Sequence, residues 1–126
     1  MSTQTMYPTL RYEDADAGLR WMLDVLGGEE VGVYRDDDGA IVHGEVRVAG
    51  GIVMFGPERH GDGPLQRAAG SGSLYVAVDD PDALHERSAA AGGEVVMGLH
   101  DTDYGSRDFS LRDPAGNLWS FGTYRP

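Results

Sequence analysis

The carboxyl-terminal segment reads Arg107-Asp-Phe-Ser-Leu-Arg-Asp-Pro-Ala-Gly-Asn-Leu-Trp-Ser-Phe-Gly-Thr-Tyr124. Two alternating runs, Arg107 to Arg112 and Leu118 to Tyr124, flank the connection Asp113-Pro-Ala-Gly-Asn117. In such a connection proline presets φ, glycine and asparagine tolerate a positive φ, and the aspartate side chain accepts hydrogen bonds from the backbone amides that follow it. The segment therefore predicts a β-hairpin.

Upstream of this hairpin the chain repeats itself. Leu10-Arg-Tyr-Glu-Asp-Ala-Asp-Ala17 is echoed by Val76-Ala-Val-Asp-Asp-Pro-Asp-Ala83, and Gly27-Gly-Glu29 recurs as Gly92-Gly-Glu94. In each copy a short strand leads into an aspartate suited to cap a helix, and a glycine pair suited to end that helix follows. Internal repetition of this kind predicts two similar structural modules.

Each module is predicted to run strand, helix, strand, strand, strand. The first spans residues 6–55, the second spans residues 73–124, and the glycine-rich segment 56–72 links them. Because each module is too small to bury its own sheet, the two are expected to pair. The predicted fold is one α+β domain over residues 1–126, in which two βαβββ modules form a curved mixed sheet (a half-barrel) around a central cavity, with the helices on the outer face.

Strand periodicity assigns side chains to the two faces of this sheet. On the third strand the residues expected beneath a helix are Val42, Gly44, Val46 and Val48. Its cavity-facing residues are then His43, Glu45 and Arg47, unless this strand is a solvated outer one. The same alternation buries Trp119 and Phe121 as structural residues. On the remaining strands the cavity-facing residues include Tyr7, Thr9, Tyr75 and Ser120.

These motifs together resemble a known family over nearly the whole chain. The Asp-Pro-x-Gly-Asn turn and the Leu26-Gly-Gly28 helix end are similar to those of the glyoxalase/bleomycin-resistance/dioxygenase family, the vicinal oxygen chelate superfamily. His43-Gly-Glu45 before a Gly-Gly turn, and Asp103-Tyr-Gly-Ser-Arg107, resemble its PhnB-like branch. The resemblance implies the same two-module fold and a small-molecule pocket.

Metal-using members of that family supply His or Gln, Glu, His and Glu ligands from four strands. Matching the motifs places Tyr7 at the first of these positions, Met54 or Phe55 at the second, Ser73 at the third and Ser120 at the fourth. Such side chains are poor ligands for divalent first-row ions. His43 and Glu45 could share an ion, but a third ligand is not evident, and His60, His85 and His100 are isolated in the sequence. We therefore expect no metal and no cofactor.

Composition narrows the possible partners. Ten basic and twenty-one acidic side chains give a formal net charge of −11, which disfavours nucleic acids and anionic membrane surfaces. There is no cysteine, so disulfides, thiolate metal sites and a cysteine nucleophile are excluded. The first residues resemble no signal peptide, and the longest apolar run, Ile52 to Phe55, is too short to cross a bilayer. We expect a soluble, cytoplasmic protein.

Three functions remain open on the sequence, besides a scaffolding role. The first is a binding protein that sequesters a drug or metabolite between aromatic side chains, for which the sequence offers Tyr7, Tyr75, Tyr104, Phe109 and Tyr124. The second is a metal-independent lyase or isomerase in which His43 and Glu45 act as an acid/base pair and Arg107 fixes an anionic group. The third, a metal-dependent glyoxalase- or dioxygenase-like enzyme, is disfavoured by the ligand positions.

The candidate site follows from these functions. His43 and Glu45 are the catalytic candidates, and the ligand-binding candidates are Tyr7, Thr9, Arg47, Tyr75, Tyr104, Arg107 and Ser120. A homodimer is expected, because paired modules leave exposed edge strands that this superfamily commonly covers with a second chain.

Overall fold

The computed structural model describes residues 3–126, and its elements follow the order that the repeat predicts. The elements are β1 (Thr9–Tyr12), α1 (Ala15–Asp24), β2 (Glu29–Arg35), β3 (Ile41–Val48), β4 (Gly51–Pro57), β5 (Ser73–Ala77), α2 (Pro81–Ala90), β6 (Glu94–Asp101), β7 (Arg107–Arg112) and β8 (Leu118–Gly122). The predicted α+β class with two βαβββ modules is confirmed. Within residues 3–126, no helix has the length and hydropathy needed to span a membrane.

Hydrogen bonding between strands stays within each module and gives two open four-stranded sheets. The first sheet has the order β1-β4-β3-β2, and the second has the order β5-β8-β7-β6. In each sheet the first strand of the module runs parallel to its last strand, and the other neighbours are antiparallel. The register sets Thr9 beside Met54 and Tyr75 beside Ser120 at equivalent places in the two sheets.

Both helices begin and end as the repeated sequence predicts. The side chains of Asp14 and Asp80 cap them by accepting the backbone N–H of the residue three positions later, each at 3.1 Å. After the helices the chain turns at Gly27 and Gly92, whose φ angles of 70° and 85° lie in the left-handed region. The local chemistry of the two copies therefore produces the same strand-to-helix unit twice.

The apolar core lies between the sheets and the helices. Trp119 and Phe121 are fully buried on β8, as predicted for structural residues. The ring of Trp21 on α1 lies 5.3 Å from that of Trp119, so the helix of the first module also contacts the sheet of the second. A further contact joins the helix ends, where the buried Ser88 hydroxyl donates to the Val25 carbonyl at 3.3 Å.

One buried carboxylate organises the closing hairpin and joins it to the first module. Oδ1 of Asp113 accepts the backbone N–H groups of the next residues of the turn, Ala115 at 3.0 Å, Gly116 at 3.1 Å and Asn117 at 2.9 Å. Oδ2 accepts three side-chain donors, namely the Tyr12 hydroxyl at 2.6 Å, Asn117 Nδ2 at 3.0 Å and Trp119 Nε1 at 3.1 Å. Burial and the neighbouring carboxylate raise the pKa of Tyr12 far above its ordinary value, so this phenol stays protonated.

Two details of the strands differ from the sequence prediction. Val42 was expected beneath a helix but is 47% exposed, whereas Ile41 is 3% exposed. The cause is a register shift against β2, where Tyr34 pairs with His43 but Arg35 pairs with Ile41, which breaks the alternation at this end of β3. In addition, the sequence from Gly98 to Ser106 suggests a loop at the rim of the sheet, but β6 continues through part of it to Asp101.

Candidate functional site

A cavity of about 460 Å³ lies on the second sheet, on the face turned away from the helices. Strand alternation creates this face, because the fully buried Phe109 and Phe121 occupy the other one. The residues that line it are Ser73, Leu74, Tyr75, Tyr104, Asp108, Ser120, Tyr124 and Pro126. We call it the tyrosine cavity. Its volume is within the range usual for small-molecule sites.

Three tyrosines form the aromatic part of the tyrosine cavity. The Tyr75 hydroxyl donates to the backbone carbonyl of Tyr124 at 2.7 Å, and the rings of Tyr104 and Tyr124 meet edge to face with centroids 5.8 Å apart. All three remain accessible, with exposed fractions of 40% for Tyr75, 64% for Tyr104 and 49% for Tyr124. They therefore offer a partly preorganised aromatic surface to a ligand.

A carboxylate and several hydroxyls supply the polar part. The buried Ser106 hydroxyl donates to Asp108 Oδ1 and accepts the backbone N–H of Tyr124 at 3.1 Å. Across the strands, the hydroxyls of Ser110 and Ser120 are 2.8 Å apart. Burial raises the pKa of Tyr75, and the nearby Asp108 carboxylate raises it further, so this phenol stays neutral beside a negative charge.

The absence of a side chain at Gly122 makes room for this arrangement. A Cβ atom there would collide with the Asp108 carboxylate and would lie 2.7 Å from the Tyr75 hydroxyl oxygen. Asp108 pairs with Gly122 across the β7–β8 ladder, which explains the close approach. The sequence prediction did not include Asp108. Strand alternation would have placed it on the same face as Ser120 in the hairpin.

The His43–Glu45 pair lies on the first sheet. His43 Nε2 and Glu45 Oε2 are 2.9 Å apart, and the side chains are 40% and 30% exposed. The ring of Tyr34, a residue that the sequence pattern did not single out, stacks on His43 with a centroid distance of 5.9 Å. The two predicted catalytic candidates therefore touch each other on a half-exposed strand face, as their spacing requires.

The other ligand-binding candidates are distributed over the molecule. Tyr75, Tyr104 and Ser120 meet in the tyrosine cavity. Thr9 lies on β1 and lines a different cavity, and Arg47 is exposed on β3, where it pairs with Ile52 and Glu29. Tyr7 precedes β1, and its hydroxyl donates to the backbone carbonyl of Gln4 at 3.0 Å.

Arg107 lies on the helix side of the second sheet. Its Nε donates to Asp82 of α2 at 2.7 Å, and its Nη1 donates to Asp101 at 3.1 Å. These two carboxylates raise the pKa of Arg107, and the guanidinium in turn lowers the pKa of Asp82. Phe109 occupies the same side, where it is fully buried and stacks on Phe121 at 5.2 Å. Neither side chain lines the tyrosine cavity.

The resemblance predicts that Met54 and Ser120 lie at two of the positions where the family holds a metal. Met54 and Ser120 occupy equivalent register positions beside Thr9 and Tyr75. A thioether and a hydroxyl do not replace the carboxylates that hold a hard divalent ion. Across residues 3–126, no group of three or more His, Asp or Glu side chains is placed to hold a metal ion.

Comparison with known proteins agrees with this architecture. The sequence model of the Glyoxalase/Bleomycin resistance protein/Dioxygenase superfamily matches residues 5–121, and the chain therefore belongs to that superfamily. It is similar to TioX from Micromonospora sp. ML1, with 32% identity and a TM-score of 0.80 over 97% of this chain and 99% of TioX.

Two further relatives are informative. The bleomycin-binding protein of bleomycin-producing Streptomyces verticillus, solved with copper(II)-bleomycin, is 27% identical with a TM-score of 0.73 over 99% of each chain. An uncharacterized protein of Mycobacterium tuberculosis is 29% identical over 121 residues, which are 91% of this chain and 71% of that protein.

Proposed function

We propose that this protein binds a small molecule in the tyrosine cavity and sequesters it without chemical change. The observation that carries the proposal is the meeting of Tyr75, Tyr104 and Tyr124 around about 460 Å³ of space beside a single carboxylate, Asp108. Such a site provides aromatic surface and polar anchors. The similarity to a bleomycin-binding protein supports a binding role at the level of the superfamily.

The chemistry of the tyrosine cavity favours a cationic, planar ligand. Tyrosine faces attract cations and stack on aromatic rings, and Asp108 adds a negative charge at the cavity wall. The formal net charge of −11 gives the whole molecule a field that draws cations towards it. A drug or metabolite that combines an aromatic ring with a positive charge is therefore the ligand class we propose.

Further parts of the proposal concern context. We propose that the protein works without a metal, because Met54, Ser73 and Ser120 stand where the family places ligands. His43-Gly-Glu45 and the segment from Asp103 to Arg107 support a place in the PhnB-like branch. A homodimer in the cytoplasm completes the proposal, with the second chain covering exposed strand edges.

A second candidate function is a metal-independent enzyme that uses His43 and Glu45 as an acid/base pair. The 2.9 Å contact between their side chains favours it. The two candidate functions depend on different residues, because the His43–Glu45 pair lies on the first sheet and the tyrosine cavity lies on the second. Substitutions on one sheet can therefore test one function without altering the other.

The test is calorimetric titration with metal-free bleomycin and with ethidium, a simple cationic aromatic dye. Tyr104→Ala and Asp108→Asn are expected to weaken binding of these probes by about tenfold or more, as for loss of a stacking or charge-assisted contact. Tyr34→Ala is the matched control, since Tyr34 is a similarly exposed tyrosine on the first sheet. If neither probe binds, or if Tyr34→Ala weakens binding as much as Tyr104→Ala, the proposed site is wrong.

A further inference from the structure

A second cavity, of about 560 Å³, lies between β1 and the segment that connects the modules. Arg11, Arg59 and Arg67 line it together with Thr9, Leu10, Pro64, Leu65, Ala68, Ser71, Gly72 and Asn117. We call it the arginine cavity. The chain has ten basic and twenty-one acidic residues, and three of the ten basic residues line this cavity. We propose that the arginine cavity binds a small multivalent oxyanion, a phosphate or a carboxylate compound.

The connecting segment is held in place by hydrogen bonds, so the arginines are not on a free loop. The backbone N–H of Glu58 donates to the Tyr12 carbonyl at 2.9 Å, which extends the pairing of β1 with β4. At the other end, Gly72 N–H donates to the side-chain oxygen of Asn117 at 2.8 Å. Between these anchors Arg59 N–H donates to the Arg67 carbonyl at 2.9 Å, which brings the two arginines side by side.

Arg11 reaches the same place from the sheet. It pairs with Gly56 in the β1–β4 ladder, and a Cβ atom at Gly56 would lie 2.9 Å from its Nη1, so the guanidinium lies across the glycine. Burial lowers the pKa of Arg11, and the positive charge of Arg59 lowers it further. Two guanidinium groups close enough to repel each other favour a site in which a bound anion neutralises both.

In the part of the chain that the structure describes, no carboxylate forms an ion pair with Arg11, Arg59 or Arg67. Within residues 3–126 the arginines that form ion pairs are Arg35, Arg107, Arg112 and Arg125. The carboxylate of Glu58, which precedes Arg59 in the chain, accepts Ala69 N–H at 3.0 Å and contacts His60 Nε2 at 3.0 Å. Arg67 Nη1 donates to the neighbouring Gln66 carbonyl at 2.7 Å.

The chemistry of the cavity wall suits oxyanions. Guanidinium groups donate pairs of hydrogen bonds whose spacing matches carboxylate and phosphate oxygens, and Thr9 adds a hydroxyl group to the wall. Because the molecule as a whole repels anions, a cluster of this kind is required for one to bind. The arginine cavity shares no lining residue with the tyrosine cavity, so this inference is independent of the proposed function.

The experiment is calorimetric titration of the full chain at constant ionic strength, with pyrophosphate and orthophosphate in one arm and malonate and citrate in the other. We expect saturable binding in at least one arm, and the tighter arm identifies the ligand as a phosphate or a carboxylate compound. Sodium chloride at matched ionic strength is expected to give no saturable signal. Heat no larger than that of chloride in both arms would overturn the proposal.

Variants connect the binding to these residues. Arg59→Gln and Arg67→Gln are each expected to weaken anion binding about tenfold or more, as for loss of charge-assisted hydrogen bonds, and Arg59→Lys is expected to lose less. The matched control is Arg20→Gln, an exposed arginine on α1 that should leave binding unchanged. Equal loss in the control, or no loss in the double variant Arg59→Gln/Arg67→Gln, would refute the assignment.

Sedimentation of the double variant distinguishes an anion site from a contact between chains. Sedimentation of the double variant is expected to match that of the unsubstituted chain. If the double variant instead changes oligomeric state while the unsubstituted chain ignores all four anions, the arginines bind carboxylates of a second copy and the oxyanion site is refuted.

Discussion

Replacing Asp113 by asparagine exchanges one carboxylate oxygen for an amide nitrogen at the most connected side chain of the fold. In the unsubstituted chain Oδ1 accepts three backbone N–H groups and Oδ2 accepts three side-chain donors. An asparagine can keep its oxygen on the backbone of the turn, but its NH₂ group then faces the donors of Tyr12, Asn117 and Trp119. The Tyr12 hydroxyl can rotate to accept from that group, but its own proton then loses the carboxylate too, so three buried donors lose their acceptor.

The expected cost follows from those three donors. A buried donor that loses its partner destabilises a fold by about 1–3 kcal/mol, so Asp113→Asn should lower the free energy of unfolding by at least about 3 kcal/mol. Tyr12→Phe removes one donor and leaves the carboxylate with its other partners, and should cost about 1.5–3 kcal/mol. Urea denaturation followed by far-UV circular dichroism measures both, and the exposed Asp103→Asn is the matched control. An Asp113→Asn variant within about 1 kcal/mol of the control, or less affected than Tyr12→Phe, would refute the reasoning.

Four further expectations come from the same structure. Because the pKa of Tyr12 is raised in the folded state, the phenol stays protonated there while it loses its proton in the unfolded chain above its ordinary pKa of about 10. The free energy of unfolding should therefore fall as pH rises above about 10. Urea titrations at alkaline pH should show this fall in the unsubstituted chain and lack this component in Tyr12→Phe. Trp119→Ala, at a fully buried site, should cost about 3–5 kcal/mol by the same assay; unchanged stability with altered ligand binding would mean that the strand faces are reversed. His43→Ala and Glu45→Gln should each change the free energy of unfolding by less than about 0.5 kcal/mol, since both side chains are partly exposed. Elemental analysis of the unsubstituted chain should find no stoichiometric metal. One metal per chain that is lost in either variant would contradict the metal-free proposal. Sedimentation at micromolar concentration should show a dimer, and a monomer would contradict the proposal that a second chain covers the exposed strand edges.

Local sequence chemistry was sufficient for much of the fold. The helix caps at Asp14 and Asp80 act over three residues, and the Asp113 turn acts over four, so the chain itself reveals them directly. The burial of Trp119 followed from strand alternation. The exposure of Val42 did not, because the register shift that causes it arises from the pairing of β3 with β2 and not from β3 itself.

The candidate site was predictable only in part, because its decisive contacts join distant residues. Alternation selected Tyr75 and Ser120, which do line one cavity. One of the two carboxylates that hold Arg107 is Asp82, 25 residues away in the chain, and nothing in the local pattern indicates it. Arg59 and Arg67 lie in a segment whose composition resembles a plain linker, so their convergence with a strand residue became visible only in three dimensions.

In the hydrogen bond between Tyr12 and Asp113, the two copies of the repeat play different roles. At the position that corresponds to Tyr12, the second copy has Val78, which has no hydroxyl to donate. The corresponding turn of the first copy, between β3 and β4, contains Ala49 and Gly50 with φ angles of 50° and 86° and carries no carboxylate. One copy is thus the donor and the other the acceptor of a buried hydrogen bond that joins them. A chain built from two first copies or two second copies would lack that hydrogen bond. The two copies of the repeat are therefore not interchangeable.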